Sequence, residues 1–251
     1  MILQDLHVHT TYCDGKNTPE ELVLAALNHG MKCIGFSGHS YTFFDESYCM
    51  SKQNTARYRA EIAGLKEKYN GKIKVLCGVE QDYYSEEPTV GYDYVIGSVH
   101  YIKADGEYIP VDESAEILKS AVQKHFNGDF YAFAEEYYRT VAALVKKTSI
   151  DIIGHFDLIT KFNERYSFFD EKDPRYINAW HTAADKLIVT DKPFEINTGA
   201  ISRGYKQSPY PSADIINYIK QKGGGLILNS DSHTTENLCF GFEEYSKFLN
   251  D

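Results

Sequence analysis

The 251-residue sequence predicts an α/β fold in which parallel strands are joined by helical crossovers, and three observations carry that prediction. Seven short apolar runs, at residues 2–6, 33–36, 73–77, 94–99, 150–153, 194–196 and 226–228, each have the length of a buried strand. Segments with helical apolar spacing lie between most of them, at 19–28, 55–68, 115–125, 131–147, 174–186 and 212–222. Imidazole and carboxylate groups gather just beyond the runs, or at their ends.

Taken in order, the run at 2–6 leads into Asp5-Leu6-His7-Val8-His9, where the two-residue period of extended chain sets His7 and His9 on the same side. Asn17 and Thr18 then cap the helix that Pro19 opens. The next three runs deliver His39 in Ser-Gly-His-Ser, Glu80 in Gly-Val-Glu and His100 in Gly-Ser-Val-His. The last three deliver His155 in Gly-His-Phe-Asp, Asn197 in Glu-Ile-Asn-Thr-Gly, and Asp231 with His233 in Asn-Ser-Asp-Ser-His. Six of the nine histidines occupy such positions; only His29, His125 and His181 fall within predicted helices or at their ends. If the strands are parallel, these groups converge on one rim, where barrel enzymes keep their catalytic residues. The alternation itself suits an open doubly wound sheet as well as a closed barrel.

Composition narrows the function. Hydrophobic residues at 43% and aromatics at 14% exclude a disordered chain, and the length suits one domain, residues 1–251, with no repeat or linker. A formal net charge of −10 argues against a nucleic-acid binder, so the expected partner is a small anionic substrate, with bound metal ions supplying local positive charge. The five cysteines, Cys13, Cys33, Cys49, Cys77 and Cys239, show no CxxC spacing, and no leader segment precedes them, which favours a cytoplasmic location. No apolar run approaches the roughly 20 residues that cross a bilayer, so no membrane partner is expected.

Imidazole nitrogen and carboxylate oxygen suit zinc, manganese or iron, and one carboxylate can bridge two ions. Such ions activate water at neutral pH and offset charge on phosphoryl oxygens, so phosphoester hydrolysis is the natural use. Each residue also has a plainer reading. His7 and His9 alone could be a hydrogen-bonded strand end, Glu80 a surface carboxylate, and Cys13-Asp14-Gly15 an ordinary turn. One metal cluster explains all of the strand-end groups together.

In this order the motifs resemble the polymerase and histidinol phosphatase (PHP) superfamily, whose opening pattern DxHxHTxxxDG is matched by residues 5–15, DLHVHTTYCDG. The GHS, GVE, SVH, GHFD and SDSH segments follow in the family's order across nearly the whole chain. The resemblance implies a distorted seven-stranded β/α (TIM-like) barrel with its metal site at the C-terminal rim. It implies two or three divalent ions (zinc, manganese or iron): one on His7, His9, Glu80 and Asp231, a second bridged by Glu80 and held by His100 and His155, and a third on Asp14, His39 and His233. The stand-alone length and the segment 197–212, NTGAISRGYKQSPYPS, look like the histidinol-phosphate phosphatases, which implies hydrolysis of L-histidinol phosphate in histidine biosynthesis.

Arg203 in that segment is the candidate phosphate clamp, since its planar fork matches phosphate oxygens. Lys161 is a second candidate cation, or else faces solvent. Asp231 and His233 are both candidates for supplying the leaving group's proton. The alternatives are a PHP phosphoesterase acting on nucleotides or phosphotyrosine, and a non-catalytic barrel stabilised by metal.

Overall fold

The computed structural model of the chain describes residues 4–249. Strand β1 (Gln4–Asp5) leads through α1 (Pro19–Asn28) to β2 (Cys33–Phe36), and α2 (Lys52–Lys68) leads on to β3 (Lys74–Asp82) and β4 (Tyr94–Ser98). A hairpin of β5 (Tyr101–Ala104) and β6 (Glu107–Pro110) follows. Next come α3 (Ala115–Phe126), α4 (Phe130–Val141), α5 (Leu144–Lys147) and β7 (Ile152–Ile153). A 3-10 turn (Leu158–Thr160), α6 (Asn163–Tyr166) and α7 (Pro174–Ile188) reach β8 (Phe194–Asn197). Helices α8 (Gly199–Ser202) and α9 (Ala213–Gln221) precede β9 (Leu226–Asn229), and α10 (Phe242–Tyr245) lies near the end.

Seven of these strands pair in parallel, in the order β1-β2-β3-β4-β7-β8-β9. The sheet closes just beyond its two edges. Val8 bridges Ser232, with His9 N donating to Ser232 O at 2.8 Å and Ser232 N donating to His7 O at 3.0 Å. Side chains complete the seam: Asn229 Oδ1 accepts from Leu6 N at 3.0 Å, and Asp5 accepts from Ser230 N at 3.1 Å and Ser230 Oγ at 2.5 Å. Among the described residues, isolated contacts rather than a continuous ladder join β1 to β9, which makes this a distorted barrel.

The strands are buried on both faces, which is why they read as apolar runs rather than alternating ones. Ile34, Phe36, Val75, Cys77 and Val79 belong to the large core shared with the helices. Cys33, Tyr94, Ile96 and Ile152, with Leu6, Leu76 and Ile227, form a separate cluster inside the barrel. Tyr94 spans that interior, its hydroxyl donating to Leu6 O at 2.6 Å and Phe36 O at 3.0 Å. A Cβ at Gly35 or Gly78 would meet Tyr94 at 2.4 Å or 2.3 Å, so glycine at these positions lets the ring lie across the strands. Towards the C-terminal strand ends the same inward period presents Glu80, Glu195 and Asn229, all buried, and the interior turns from apolar to polar.

Several elements differ from the sequence reading. Helix α2 starts at Lys52, earlier than 55, because Ser51 accepts from Asn54 N and caps it there. The helix expected at 131–147 is two helices, α4 and α5; Ala143 N bonds back to Thr140 O at 3.0 Å, a tighter turn that ends α4. The hairpin at 101–110 was not expected; Asp105 and Gly106, with φ 50° and 84°, form its turn. Residues 2 and 3 of the expected first strand lie outside the described residues.

Candidate metal centre

Glu80, at the inner face of β3 and 1% exposed, is the hub of the rim. Its Oε2 lies 3.2 Å from His7 Nε2, 3.5 Å from His9 Nε2 and 2.9 Å from His39 Nδ1. Its Oε1 lies 2.8 Å from His155 Nε2 and 3.3 Å from His100 Nε2. Asp231 Oδ1 is 3.2 Å from His9 Nε2 and 3.7 Å from His7 Nε2. Beside this hub, Asp14 Oδ1 lies 3.6 Å from His9 Nδ1 and 3.7 Å from His39 Nε2, and Asp14 Oδ2 lies 3.1 Å from His233 Nε2. Every residue named from the sequence as a metal ligand is thus within one contiguous cluster.

Three sets of donor atoms each lie within 4.8 Å of one another: His7, His9 and Glu80; His39, Glu80 and His100; and His9, Asp14, His39 and His233. The grouping departs from the expected partition in two ways: His9 and His39 each face two sets, and Asp231 and His155 fall in none of the three, Asp231 meeting His7 and His9 and His155 meeting Glu80 only pairwise. Four buried atoms, His7 Nε2, His9 Nε2, Glu80 Oε2 and Asp14 Oδ1, make no hydrogen bond. Buried polar atoms without a partner are costly, and four converging ones fit a bound cation.

The electrostatics agree with that fit. Burial would raise the Glu80 carboxyl, but His7, His39 and His100 hold it well below the usual carboxylate range. Burial likewise opposes ionisation of Asp231, yet Arg203 and His7 hold it low. Burial, with His233 and His39 nearby, lowers His9 to about 3, leaving a neutral imidazole at physiological pH, the form that ligates metal.

The PHP domain family model matches residues 5–199. The chain belongs to the PHP domain family. It is 28% identical over 260 residues to a Deinococcus radiodurans protein named "Probable histidinol-phosphatase", across 99% of this chain and 93% of that one. It is 26% identical over 265 residues to the histidinol-phosphatase of Bacillus subtilis, across 96% and 97% of the two chains. A solved structure from Listeria monocytogenes superposes with a TM-score of 0.81 at 20% identity, covering 96% of this chain and 99% of the other. The histidinol phosphate phosphatase of Lactococcus lactis, solved with zinc, L-histidinol and phosphate, superposes with a TM-score of 0.71 at 21% identity, covering 98% and 92%. These superpositions bear out the barrel.

In this PHP domain the cluster opens into a cavity of about 530 Å³. Arg203 lines it, with Nη2 donating to Asp231 Oδ2 at 3.0 Å, Nη1 donating to Asp231 O at 2.9 Å, and Nη1 also 2.9 Å from His233 Nδ1. Lys161 lines it too and does not face solvent: its Nζ donates to Asp112 O at 2.7 Å and to Asp112 Oδ2 at 3.0 Å. Asp231 itself sits at φ 51°, a left-handed conformation uncommon outside glycine and found at functional positions.

Of the supporting groups, the sequence singles out Asn197 alone. Glu195 is fully buried, with Oε1 2.6 Å from His7 Nδ1 and accepting from Asn229 Nδ2 at 2.9 Å. Its Oε2 accepts from His155 N at 2.9 Å and Asn197 Nδ2 at 3.0 Å. Asn197, grouped with the strand-end candidates, is therefore a partner of Glu195, and its Oδ1 accepts from Gly199 N at 2.9 Å. Asp82 accepts from His100 N at 3.0 Å. The signal for Glu195 was a lone carboxylate between Phe194 and Ile196 in a buried strand.

Proposed function

We propose that this chain is a metal-dependent phosphomonoesterase that hydrolyses L-histidinol phosphate to L-histidinol and phosphate, a step of histidine biosynthesis. The observation that carries the reading is one cavity lined both by the His/Asp/Glu cluster with Arg203 and by Asp45, Asp112 and Glu113 among Tyr48, Tyr101 and Tyr205. The first set suits a phosphate; the second suits an alcohol bearing an ammonium group and an aromatic ring. The names of the Deinococcus and Bacillus relatives and the ligands of the Lactococcus structure support the same substrate.

His7, His9, Asp14, His39, Glu80, His100, His155, Asp231 and His233 would hold two or three zinc, manganese or iron ions. Bound there, such ions supply Lewis-acid polarisation of the phosphoryl oxygens and an activated water. Arg203 orients the phosphate through its planar fork, its direction fixed by the two bonds to Asp231. Lys161, anchored by Asp112, is the second cation. Of the two candidates for protonating the departing alkoxide, we assign the role to His233, which lines the cavity, because Arg203 and His7 hold Asp231 as a carboxylate with no proton to give.

We further infer that the whole chain acts as one domain and works in the cytoplasm, a location that its five free cysteines support. Among the described residues no helix is long and apolar enough to cross a membrane.

The test is to purify the protein without chelator, measure bound metal by elemental analysis, and assay phosphate release. Histidinol phosphate is compared with nucleoside monophosphates, phosphotyrosine and an aryl phosphate. Preference for histidinol phosphate, lost on demetallation and restored by metal, supports the reading. Preference for another ester discards the substrate, and no bound metal with no release discards the enzyme.

A further inference from the structure

Lys206, between α8 and α9, is 5% exposed, and a lysine is seldom so buried without a specific partner. Its Nζ donates to Thr160 Oγ1 at 2.6 Å and sits 4.9 Å from the centroid of the Tyr210 ring. Thr160 Oγ1 in turn donates to Asp157 O at 2.9 Å, which ties the contact into the 3-10 turn Leu158–Thr160. The buried Asp157 carboxylate supplies opposite charge to the ammonium.

The sequence neighbours of this pair meet as well, since Lys161 Nζ lies 4.6 Å from the centroid of the Tyr205 ring. Thr160-Lys161 and Tyr205-Lys206 are thus joined by two contacts, one buried and one at the cavity wall. Each joined segment carries a cavity cation: Lys161 on the first, and Arg203, three residues before Lys206, on the second. Tyr205 N and Lys206 N both donate to Ala200 O, at 2.9 Å and 3.3 Å, so the Arg203 segment folds back on α8 as one unit. An apolar side chain would fill the same space without the desolvation of a buried ammonium. What an apolar side chain cannot do is hold Thr160 at hydrogen-bond length.

We propose that Lys206 is a positioning residue for phosphate, fixing the Arg203 segment to the Lys161 segment so that the two cations face the cavity at one spacing. The inference rests on reading Arg203 and Lys161 as the phosphate contacts.

The test uses the zinc-loaded protein and inorganic phosphate as probe, with Kd read by titration calorimetry beside KM and kcat for histidinol phosphate. Lys206→Met removes the ammonium and keeps the stem; Thr160→Val removes the acceptor and keeps the shape. Both should raise the phosphate Kd and KM about tenfold, the effect of misaligning one charge-assisted hydrogen bond, with kcat held within about twofold, the pattern for binding lost equally in ground and transition states. Zinc content should not change. On an Arg203→Ala, Lys161→Met background, Lys206→Met should add nothing further. An unchanged phosphate Kd in folded Lys206→Met overturns the proposal, as does a rise that persists in full on the double background. If Lys206→Met does not fold, Thr160→Val decides by the same criterion. Wild-type protein that binds phosphate but does not hydrolyse histidinol phosphate refutes the substrate while leaving the Lys206 measurement intact; wild-type protein that binds no phosphate refutes the positioning role.

Discussion

Replacing Glu195 by glutamine changes one oxygen to an amide nitrogen, and the surroundings leave that nitrogen nowhere to go. One carboxylate oxygen meets His7 Nδ1 and Asn229 Nδ2; the other meets His155 N and Asn197 Nδ2. With Nδ1 of His7 protonated, all four partners are donors, so either amide orientation sets an NH2 group against two of them. An unsatisfied buried donor costs about 1–3 kcal/mol, so the pair costs about 2–6 kcal/mol. For a chain of this size about 1 kcal/mol lowers Tm by about 2–4 °C, and metal-free Glu195→Gln should therefore melt at least about 2 °C below the parent even if one of the two clashes is relieved. If the nitrogen faces His7, the imidazole can relieve the clash by moving its proton to Nε2. That atom faces Glu80 at 3.2 Å and Asp231 at 3.7 Å, where a cation would coordinate. Zinc affinity should then fall about 10–100-fold, the usual effect of losing a carboxylate behind a ligating histidine. Thermal unfolding and equilibrium dialysis against buffered zinc measure the two effects. A variant with parental zinc affinity and parental Tm would refute the role given to Glu195.

Three other outcomes follow from the geometry. Arg203→Lys keeps the charge but loses the planar fork and one of the bonds to Asp231, so KM for the phosphoester should rise about tenfold, read by steady-state kinetics. Asp14→Ala should lower the number of ions bound per chain, measured by elemental analysis, while leaving those around Glu80, because among the three donor sets Asp14 contributes only to that with His9, His39 and His233. Tyr94→Phe removes the hydroxyl that donates to Leu6 O and Phe36 O inside the barrel, and should cost about 1–3 kcal/mol in denaturant unfolding with metal content unchanged.

How much of this could be read from the sequence depends on what each residue has to be. His7 and His9 were legible because the period of an extended strand sets them side by side. His39, Glu80, His100, His155, Asp231 and His233 were legible because each follows an apolar run, and parallel strands must deliver them to one rim. Barrel closure was not legible from periodicity, since it rests on Val8 meeting Ser232 and on Asp5 meeting Ser230 across 225 positions; the resemblance to a known family supplied it. The hairpin at 101–110 did carry a local sign in Asp105-Gly106, but its four-residue strands mix polar and apolar groups too evenly to stand out.

Glu195 marks the boundary most clearly. Its place between Phe194 and Ile196 in a buried strand implies that it points into the barrel, yet nothing local says that it meets His7, 188 positions away. A metal ligand has to be an imidazole or a carboxylate at a strand end, so its chemistry betrays it against apolar neighbours. A group that orients a ligand needs only to reach it, and here the work is shared by a glutamate, two asparagine amides and a backbone N–H. Its function is set by where the chain folds and not by its residue type, which is why Glu195 and Lys206 came into view only with the three-dimensional arrangement.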